Sequence, residues 1–442
     1  MLPRRQLLAA PLGALAPLRA AMPRRPNFLF ILTDDHHFQC LGAAGNPHIR
    51  TPHLDRLAGE GVNFTNAIIS TSQCAPSRGI LLTGLECFQN GVRSNGALSF
   101  RPDLGPTAMS QLRGAGYDTC LIGKWHIETP PGPCGFAQAP LWLPEGGSRY
   151  IDPTLRRGLD APAEIVPGHI TDLFTTAADG YLRAARRPFF LWLAYNAPHT
   201  PWQAPPEYQA PYAGKNWRDI APPAHPRDAA RFDWPTYYSV ITHLDAAVGR
   251  LLDSLRRTGL WDNTVVFFLG DNGYMCQSKG LDGKVVHWEE SIRVPCLAAG
   301  GPIRGGRRLD DCVASIDLPA TWLAMAGLRP ARRMAGRNLA PLLASGRGSF
   351  DQAFTVWDDG RPEALLPPRA VEPYRLVRTR THKLVVWESG RQSLYDIRND
   401  PREDRDLAAD PGQARVLSNL RARLTARMKE TGDRALAWLT KS

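Results

Sequence analysis

Two adjacent carboxylates, Asp34-Asp35, and a distant Asp271-Asn272 pair offer oxygen ligands only, a set that suits a hard divalent cation such as calcium or magnesium. Alone, Asp34-Asp35 reads equally well as a turn or helix cap; the second pair makes a metal site the better reading. Lys124, His126, His199 and Lys284 add cations and proton carriers, which a site handling a small dianion and a departing alkoxide needs. Singly, each has a bland reading: His199, before Thr200-Pro201, as a turn residue, and Lys284 as a surface lysine.

These residues share a position. Four apolar runs rich in β-branched or aromatic residues stop abruptly at them. Asn27 to Leu32 runs into Thr33-Asp34-Asp35; Tyr117 to Ile122 into Gly123-Lys124-Trp125-His126; Pro188 to Tyr195 into Asn196-Ala197-Pro198-His199; and Thr264 to Leu269 into Gly270-Asp271-Asn272. Near-continuous apolar runs predict strands buried on both faces of a parallel sheet covered by helices, an α/β fold. Ligands of such sheets bind beyond the carboxyl ends of the strands, so groups far apart in sequence can converge there. Helices are predicted between the runs, among them one from Thr51-Pro52 and one over Tyr237 to Thr258 with Leu244, Val248, Leu251, Leu252 and Leu255 on one face.

Beyond about residue 345 the texture changes. Tyr374 to Trp387 and Ser393 to Ile397 are predicted as strands of a hairpin around Glu388-Ser389-Gly390-Arg391, and a final helix is predicted over about Gly412 to Thr431. The expected organisation is an export signal or disordered tail over 1–21, a catalytic domain over 22–345 and a small α+β domain over 346–442. Met1-Leu2-Pro3-Arg4-Arg5-Gln6-Leu7-Leu8, with Ala14-Leu15-Ala16 as a cleavage site, reads as a twin-arginine export signal and so a periplasmic or secreted location; a cytoplasmic tail is the alternative. No other stretch is long and apolar enough to span a membrane.

Lys and Arg number 53 against 42 Asp and Glu, a net charge of +11 that favours anionic ligands. The basic residues are scattered and form no zinc finger or basic zipper, which argues against nucleic acid as the partner. The eight cysteines lack the paired spacings of zinc sites, so most, such as Cys120 and Cys296 in apolar surroundings, read as buried free thiols.

Cys74 is the exception. Cys74-Ala75-Pro76-Ser77-Arg78 followed by Thr83-Gly84 resembles, at every fixed position, the signature of the type I sulfatases of the alkaline phosphatase superfamily. Gly123 to His126, Gly283-Lys284, Glu289 to Pro295, and Leu394 to Ile397 with Asp400-Pro401 also look like that family. The resemblance implies that Cys74 is oxidised to formylglycine by a separate maturation enzyme and that the hydrated aldehyde is the nucleophile. Its second hydroxyl lets sulfate be expelled without water attacking the crowded sulfur. The same resemblance implies that Asp34, Asp35, Asp271, Asn272 and modified Cys74 hold calcium, magnesium being the lesser alternative. Arg78 steadies the nucleophile, and Lys124, Lys284 and His199 contact the substrate. His126 takes the proton in the elimination step, and His199 protonates the leaving oxygen, two roles the histidines could exchange. A helix predicted to begin near Ser77 would aim its first amides at the anion.

A sulfuric ester hydrolase acting on a sulfated alcohol or carbohydrate is the expected function. A phosphonate monoester or phosphodiester hydrolase of the same superfamily, or a glycan-binding relative with unconverted Cys74, are the alternatives. Substrate choice falls to loops, with Pro130 to Pro167 and Pro201 to Pro235 expected to shape the pocket and Trp142, Trp202 and Trp217 available to stack on sugars. In Ser278-Lys279-Gly280-Leu281, Lys279 stands where many relatives carry His; an exposed loop lysine is favoured over a second anion contact.

Overall fold

The computed structural model describes residues 25–440, apart from 98, 102, 227–230, 304, 333, 347 and 360–371. The reading of 1–21 as an export signal lies outside the described residues. The first strand, β1 (Asn27–Thr33), is buried at every position, which is why its sequence shows no alternation. Phe28, Phe30 and Leu32 enter one core with Leu81, Leu112 and Trp322, while Leu29 and Ile31 enter another with Leu57, Phe174 and Val248. Helices therefore cover both faces: Cys74–Thr83, Ala108–Gly114 and Asp317–Met325 on one, and Pro52–Glu60, Ile170–Ala184 and Trp234–Arg257 on the other.

The remaining strands of the large sheet are β2 (Val62–Ile68), β3 (Asp118–Lys124), β4 (Gln138–Leu143), β5 (Thr154–Arg156), β6 (Ala163–Ile165), β7 (Phe189–Ala194), β8 (Thr264–Gly270), β9 (Cys296–Ala299) and β10 (Arg307–Ala314). Their order is β10-β2-β9-β8-β1-β7-β3-β4-β5-β6. The central strands β8, β1, β7 and β3 are parallel neighbours, and these are the four apolar runs. The α/β expectation holds, with antiparallel β9 inserted between β8 and β2 and an antiparallel edge at β5 and β6.

A second, antiparallel sheet follows: β11 (Gln352–Trp357), β12 (Tyr374–Thr379), β13 (His382–Trp387) and β14 (Gln392–Asp396). The single strand expected from Tyr374 to Trp387 is two strands. They turn at Arg380-Thr381, where Thr379 Oγ1 accepts the His382 N–H at 3.0 Å, a turn without the glycine or proline that would announce it. Helix Ala414–Thr431 lays Leu420, Leu424 and Met428 on one face of this sheet, against Val377, Leu384 and Leu394. The other face, through Leu376, Val385 and Trp387, packs on Ile80, Met275, Val285 and Ile292 of the large unit. No helix among the described residues is long and apolar enough to cross a membrane.

Candidate active site

The ends of the central strands are pinned together by backbone hydrogen bonds. Asp34 N–H donates to the Ala197 carbonyl at 3.1 Å, Asp271 N–H to the Thr33 carbonyl at 2.8 Å and His36 N–H to the Asn272 carbonyl at 3.1 Å. Gly123, at φ +103, brings β3 so close to β7 that a Cβ would lie 1.9 Å from the Ala194 carbonyl oxygen, so only glycine fits there. Both peptide bonds bracketing the His199 turn, Ala197–Pro198 and Thr200–Pro201, are cis.

Nine of the ten residues expected to carry chemistry meet through direct contacts. Lys124 Nζ donates to Asp34 Oδ2 and Lys284 Nζ to Asp35 Oδ1. Arg78 grips Asp271 Oδ2 through Nε at 3.0 Å and Nη2 at 2.7 Å, and its Nη1 donates to the Lys124 carbonyl at 2.6 Å. Asn272 Nδ2 donates to Asp35 Oδ1 at 2.6 Å. Cys74 Sγ lies 3.4 Å from Asp34 Oδ1 and 3.0 Å from Lys284 Nζ. His199 Nε2 faces Asp35 Oδ2 at 3.7 Å. His126, the tenth, makes no direct bond to the others but feels the charges of Lys124, Arg78 and Asp34.

The cluster is almost wholly buried, and its electrostatics follow from that. Burial opposes charge on Asp34, yet Lys124, His199, Lys284 and Arg78 outweigh it and hold this carboxyl well below the usual range. For Asp271, burial and the charge of Asp34 prevail over Arg78, and its carboxyl is pushed up to about 7. Burial, then Asp34, pushes the Cys74 thiol up to about 12, so as an unmodified side chain it is a thiol at neutral pH and a poor nucleophile. Burial with Lys124 and Arg78 holds His126 down at about 2, a neutral imidazole able to accept a proton. His199 is also lowered, by burial, against the pull of Asp34 and Asp35. Its Nδ1 must donate to the Thr200 carbonyl, 2.6 Å away, which fixes the tautomer and leaves Nε2 facing the cluster.

A hard cation fits this donor set. The buried Oδ1 atoms of Asp271 and Asn272 have no hydrogen-bond partner; Asp271 shares Arg78 with Asp34, and Asn272 bonds Asp35, so the four oxygen-bearing side chains belong to one cluster. Ligand atoms of Asp34, Cys74 and His199 lie within 4.8 Å of one another. Backbone strain gathers here as well: Asp35, His126 and the β-branched Val285 beside Lys284 have φ of +58, +59 and +65, each costing about 1–3 kcal/mol that the surrounding packing must offset.

Two expectations need correction. The helix begins at Cys74 rather than near Ser77, and three of its first four residues have no free amide to aim at an anion. Ala75 N–H is taken by Asn95 Oδ1 at 3.2 Å, Pro76 has no N–H, and Ser77 N–H bonds the Gln73 carbonyl at 3.0 Å. The end of the motif has a plain role: Thr83 Oγ1 bonds the Gly79 carbonyl and Gly84, at φ +66, closes the helix on the Ile80 carbonyl. Lys279 is no exposed loop lysine; its Nζ bonds Asp404 Oδ1 at 3.0 Å and sits 4.4 Å from the centre of the Trp288 ring. Of the tryptophans, Trp202 packs edge-on against Phe232 and Tyr237, while Trp142 lines a cavity of about 750 Å³ with His126, Asn95 and Arg156. All eight cysteines are free and buried.

Sequence reasoning missed Gly146-Gly147. A Cβ on Gly146 would lie 2.4 Å from His126 Nε2, and one on Gly147 would lie 3.2 Å from His199 Cε1, so this loop rests directly on both histidines. The doubled glycine in Pro144-Glu145-Gly146-Gly147-Ser148 was the available signal. Also missed were Asn95, and the buried Lys383, whose Nζ holds the His287 carbonyl at 2.6 Å three residues past Lys284.

The family model named Sulfatase matches residues 26–328, the stretch that supplies all ten of the residues expected to carry chemistry. The chain belongs to the sulfatase family. As a sulfatase it is a hydrolase of sulfuric esters, and a second model, N-sulphoglucosamine sulphohydrolase, C-terminal, matches residues 278–430. The sulfatase is 30% identical to an ulvan-active sulfatase of Formosa agariphila, over 93% of this chain and 82% of that one. It is 25% identical to an N-acetylglucosamine-6-O-sulfatase of Bacteroides thetaiotaomicron, over 96% and 91% of the two chains. Its fold superposes with a TM-score of 0.82, at 23% identity and over 93% and 99% of the chains, on a protein solved with its substrate D-glucosamine-2-N,6-O-disulfate. The alkaline-phosphatase-like architecture expected from the sequence is thus shared with solved relatives.

Proposed function

We propose that this sulfatase removes sulfate from a sulfated carbohydrate, with Cys74 converted to formylglycine and a calcium ion held by Asp34, Asp35, Asp271 and Asn272. The observation that carries the reading is the position of Cys74 Sγ, 3.0 Å from Lys284 Nζ and 3.4 Å from Asp34 Oδ1, beside two buried oxygens without partners. The hydrated aldehyde supplies a hydroxyl nucleophile that a thiol raised to about 12 does not. When bound, the cation draws charge from the sulfate oxygens.

The chain's own residues do the rest. Arg78, locked on Asp271, fixes the floor beneath the nucleophile. Lys124 and Lys284, which pair with Asp34 and Asp35, would offer their ammonium groups to the sulfate oxygens, with Asp34 and Asp35 as the residues that would hold the cation. His126, kept neutral, accepts the proton of the second hydroxyl as sulfate departs. His199 presents Nε2 to the leaving oxygen; with its Nδ1–H held by the Thr200 carbonyl, the ring first takes a proton at Nε2, a charged form that Asp34 and Asp35 favour, and then delivers that proton to the leaving oxygen. The cavity of about 750 Å³ beside His126, walled by Trp142 and residues of the 130–160 segment, receives the leaving sugar. Carbohydrate is favoured because relatives spanning nearly the whole chain are carbohydrate sulfatases by name. Residues 22–345 would form the catalytic domain and 346–442 its appendage, with export directed by residues 1–21.

Intact-peptide mass spectrometry at Cys74, after expression with a formylglycine-generating enzyme, is expected to show the mass loss of aldehyde formation. A panel of sulfated mono- and oligosaccharides, run beside matched phosphate diesters and phosphonate monoesters, tests the reaction. Faster cleavage of the phosphorus esters, or an unmodified thiol in active enzyme, would overturn the proposal.

A further inference from the structure

A second group of cationic side chains stands on the small sheet, on residues that take no part in the cluster around Cys74. The β12–β13 turn, the chain after β14 and the start of helix Ala414–Thr431 enclose a cavity of about 550 Å³. Four guanidiniums line it, from Arg380, Arg398, Arg415 and Arg423, with His382 beside them and Asp351 as its one carboxylate. Two of the cations are already neutralised: Arg380 pairs with Asp311 at 2.8 Å and Arg423 with Asp351 at 2.7 Å. The other two are not. Among the described residues, the Arg398 and Arg415 side chains have no hydrogen bond or ion pair, and both residues are exposed.

Like charges gathered around one concavity repel each other unless an anion joins them. Arginine presents a planar fork that binds sulfate or carboxylate oxygens two at a time. Thr381 and Asn419, on the same wall, offer hydroxyl and amide partners of the kind sugar hydroxyls use. Among the described residues no Phe, Tyr or Trp lines the cavity, so the large stacking platforms that hold single-stranded nucleic acid are missing.

We propose that this cavity is an exosite for a sulfated polysaccharide chain, gripped by Arg398 and Arg415 while a sulfate ester elsewhere on the chain is presented to the active site. The site goes beyond the reaction proposed above, and binding at it does not require turnover.

The test is titration of the full-length protein with heparin oligosaccharides at physiological salt, comparing wild type with Arg398→Glu/Arg415→Glu and with the milder Arg398→Gln/Arg415→Gln. The charge-reversed protein is expected to bind about tenfold or more weakly, the neutral variant in between, with unchanged melting temperatures. Hydrolysis of 4-nitrophenyl sulfate, too small to span two sites, should be equal in all three. Unchanged heparin affinity in the charge-reversed protein would overturn the exosite, as would parallel loss of heparin binding and hydrolysis, which would place the arginines in the active site. Equal affinity for duplex DNA, lost in the same variants, would also overturn it by marking a non-selective basic patch. Absence of any sulfate ester hydrolysis would sink the catalytic reading and leave the binding comparison intact.

Discussion

Gly146→Ala adds one methyl group at a point where its effect on chemistry can be worked out from distances. The new Cβ would stand 2.4 Å from His126 Nε2. An ordinary contact of this kind needs at least 3.4 Å, so ring and loop must separate by about 1 Å. Gly146 does not occupy the left-handed region, so alanine brings no backbone strain and the perturbation is steric. His126 sits at φ +59 on a backbone tied through its N–H to the Pro144 carbonyl at 3.2 Å, so the shift falls on the imidazole ring and the glycine loop. Misplacing a catalytic group by about 1 Å costs on the order of a hundredfold in rate, about 2.7 kcal/mol of barrier. The expected result is a drop in kcat of that size with KM changed little, since Lys124 and Lys284, proposed above to bind sulfate, are untouched. Gly147→Ala, with its Cβ 3.2 Å from His199 Cε1, requires only a few tenths of an ångström and should cost a few-fold. Steady-state kinetics on the preferred sulfated sugar, paired with thermal melts, make the comparison. Wild-type kcat in Gly146→Ala would refute the reasoning, as would a larger loss in Gly147→Ala.

Cys74→Ala should abolish sulfate release, a loss of at least about a thousandfold measured by sulfate assay, while circular dichroism stays native because the thiol makes no structural bond beyond Asp34 and Lys284. Removing divalent cations with a chelator should lower both activity and melting temperature, and calcium should restore both. Full activity in protein shown by elemental analysis to be metal-free would exclude the assignment of Asp271 and Asn272 as ligands. Lys383→Met leaves Glu403 buried without its cation, while Glu289 keeps Arg378, and should destabilise the protein by about 3–5 kcal/mol in urea titration. Adding Glu403→Gln should recover part of that loss, and a double variant no more stable than the single one would contradict the pairing.

Much of the site could be read from the sequence because the strands that carry it are buried on both faces. Their apolar runs have abrupt ends, and Asp34, Lys124, His199 and Asp271 stand at those ends, where a parallel sheet delivers side chains to one edge. Cys74, Arg78 and the end of their helix at Gly84 were legible for a different reason: one short contiguous motif contains the cysteine, the arginine and the glycine cap. Three-dimensional packing alone decided the rest. Which lysine neutralises which aspartate, and that Ala75 gives its amide to Asn95 instead of to an anion, depend on atoms brought together across gaps of twenty to some two hundred and fifty residues. That Gly146 and Gly147 touch the two histidines, that Lys383 braces the Lys284 segment, and that Lys279 pairs with Asp404 are equally facts of folding. A sequence shows periodicity and local motifs; steric contact and charge pairing between distant segments exist only once the chain has closed.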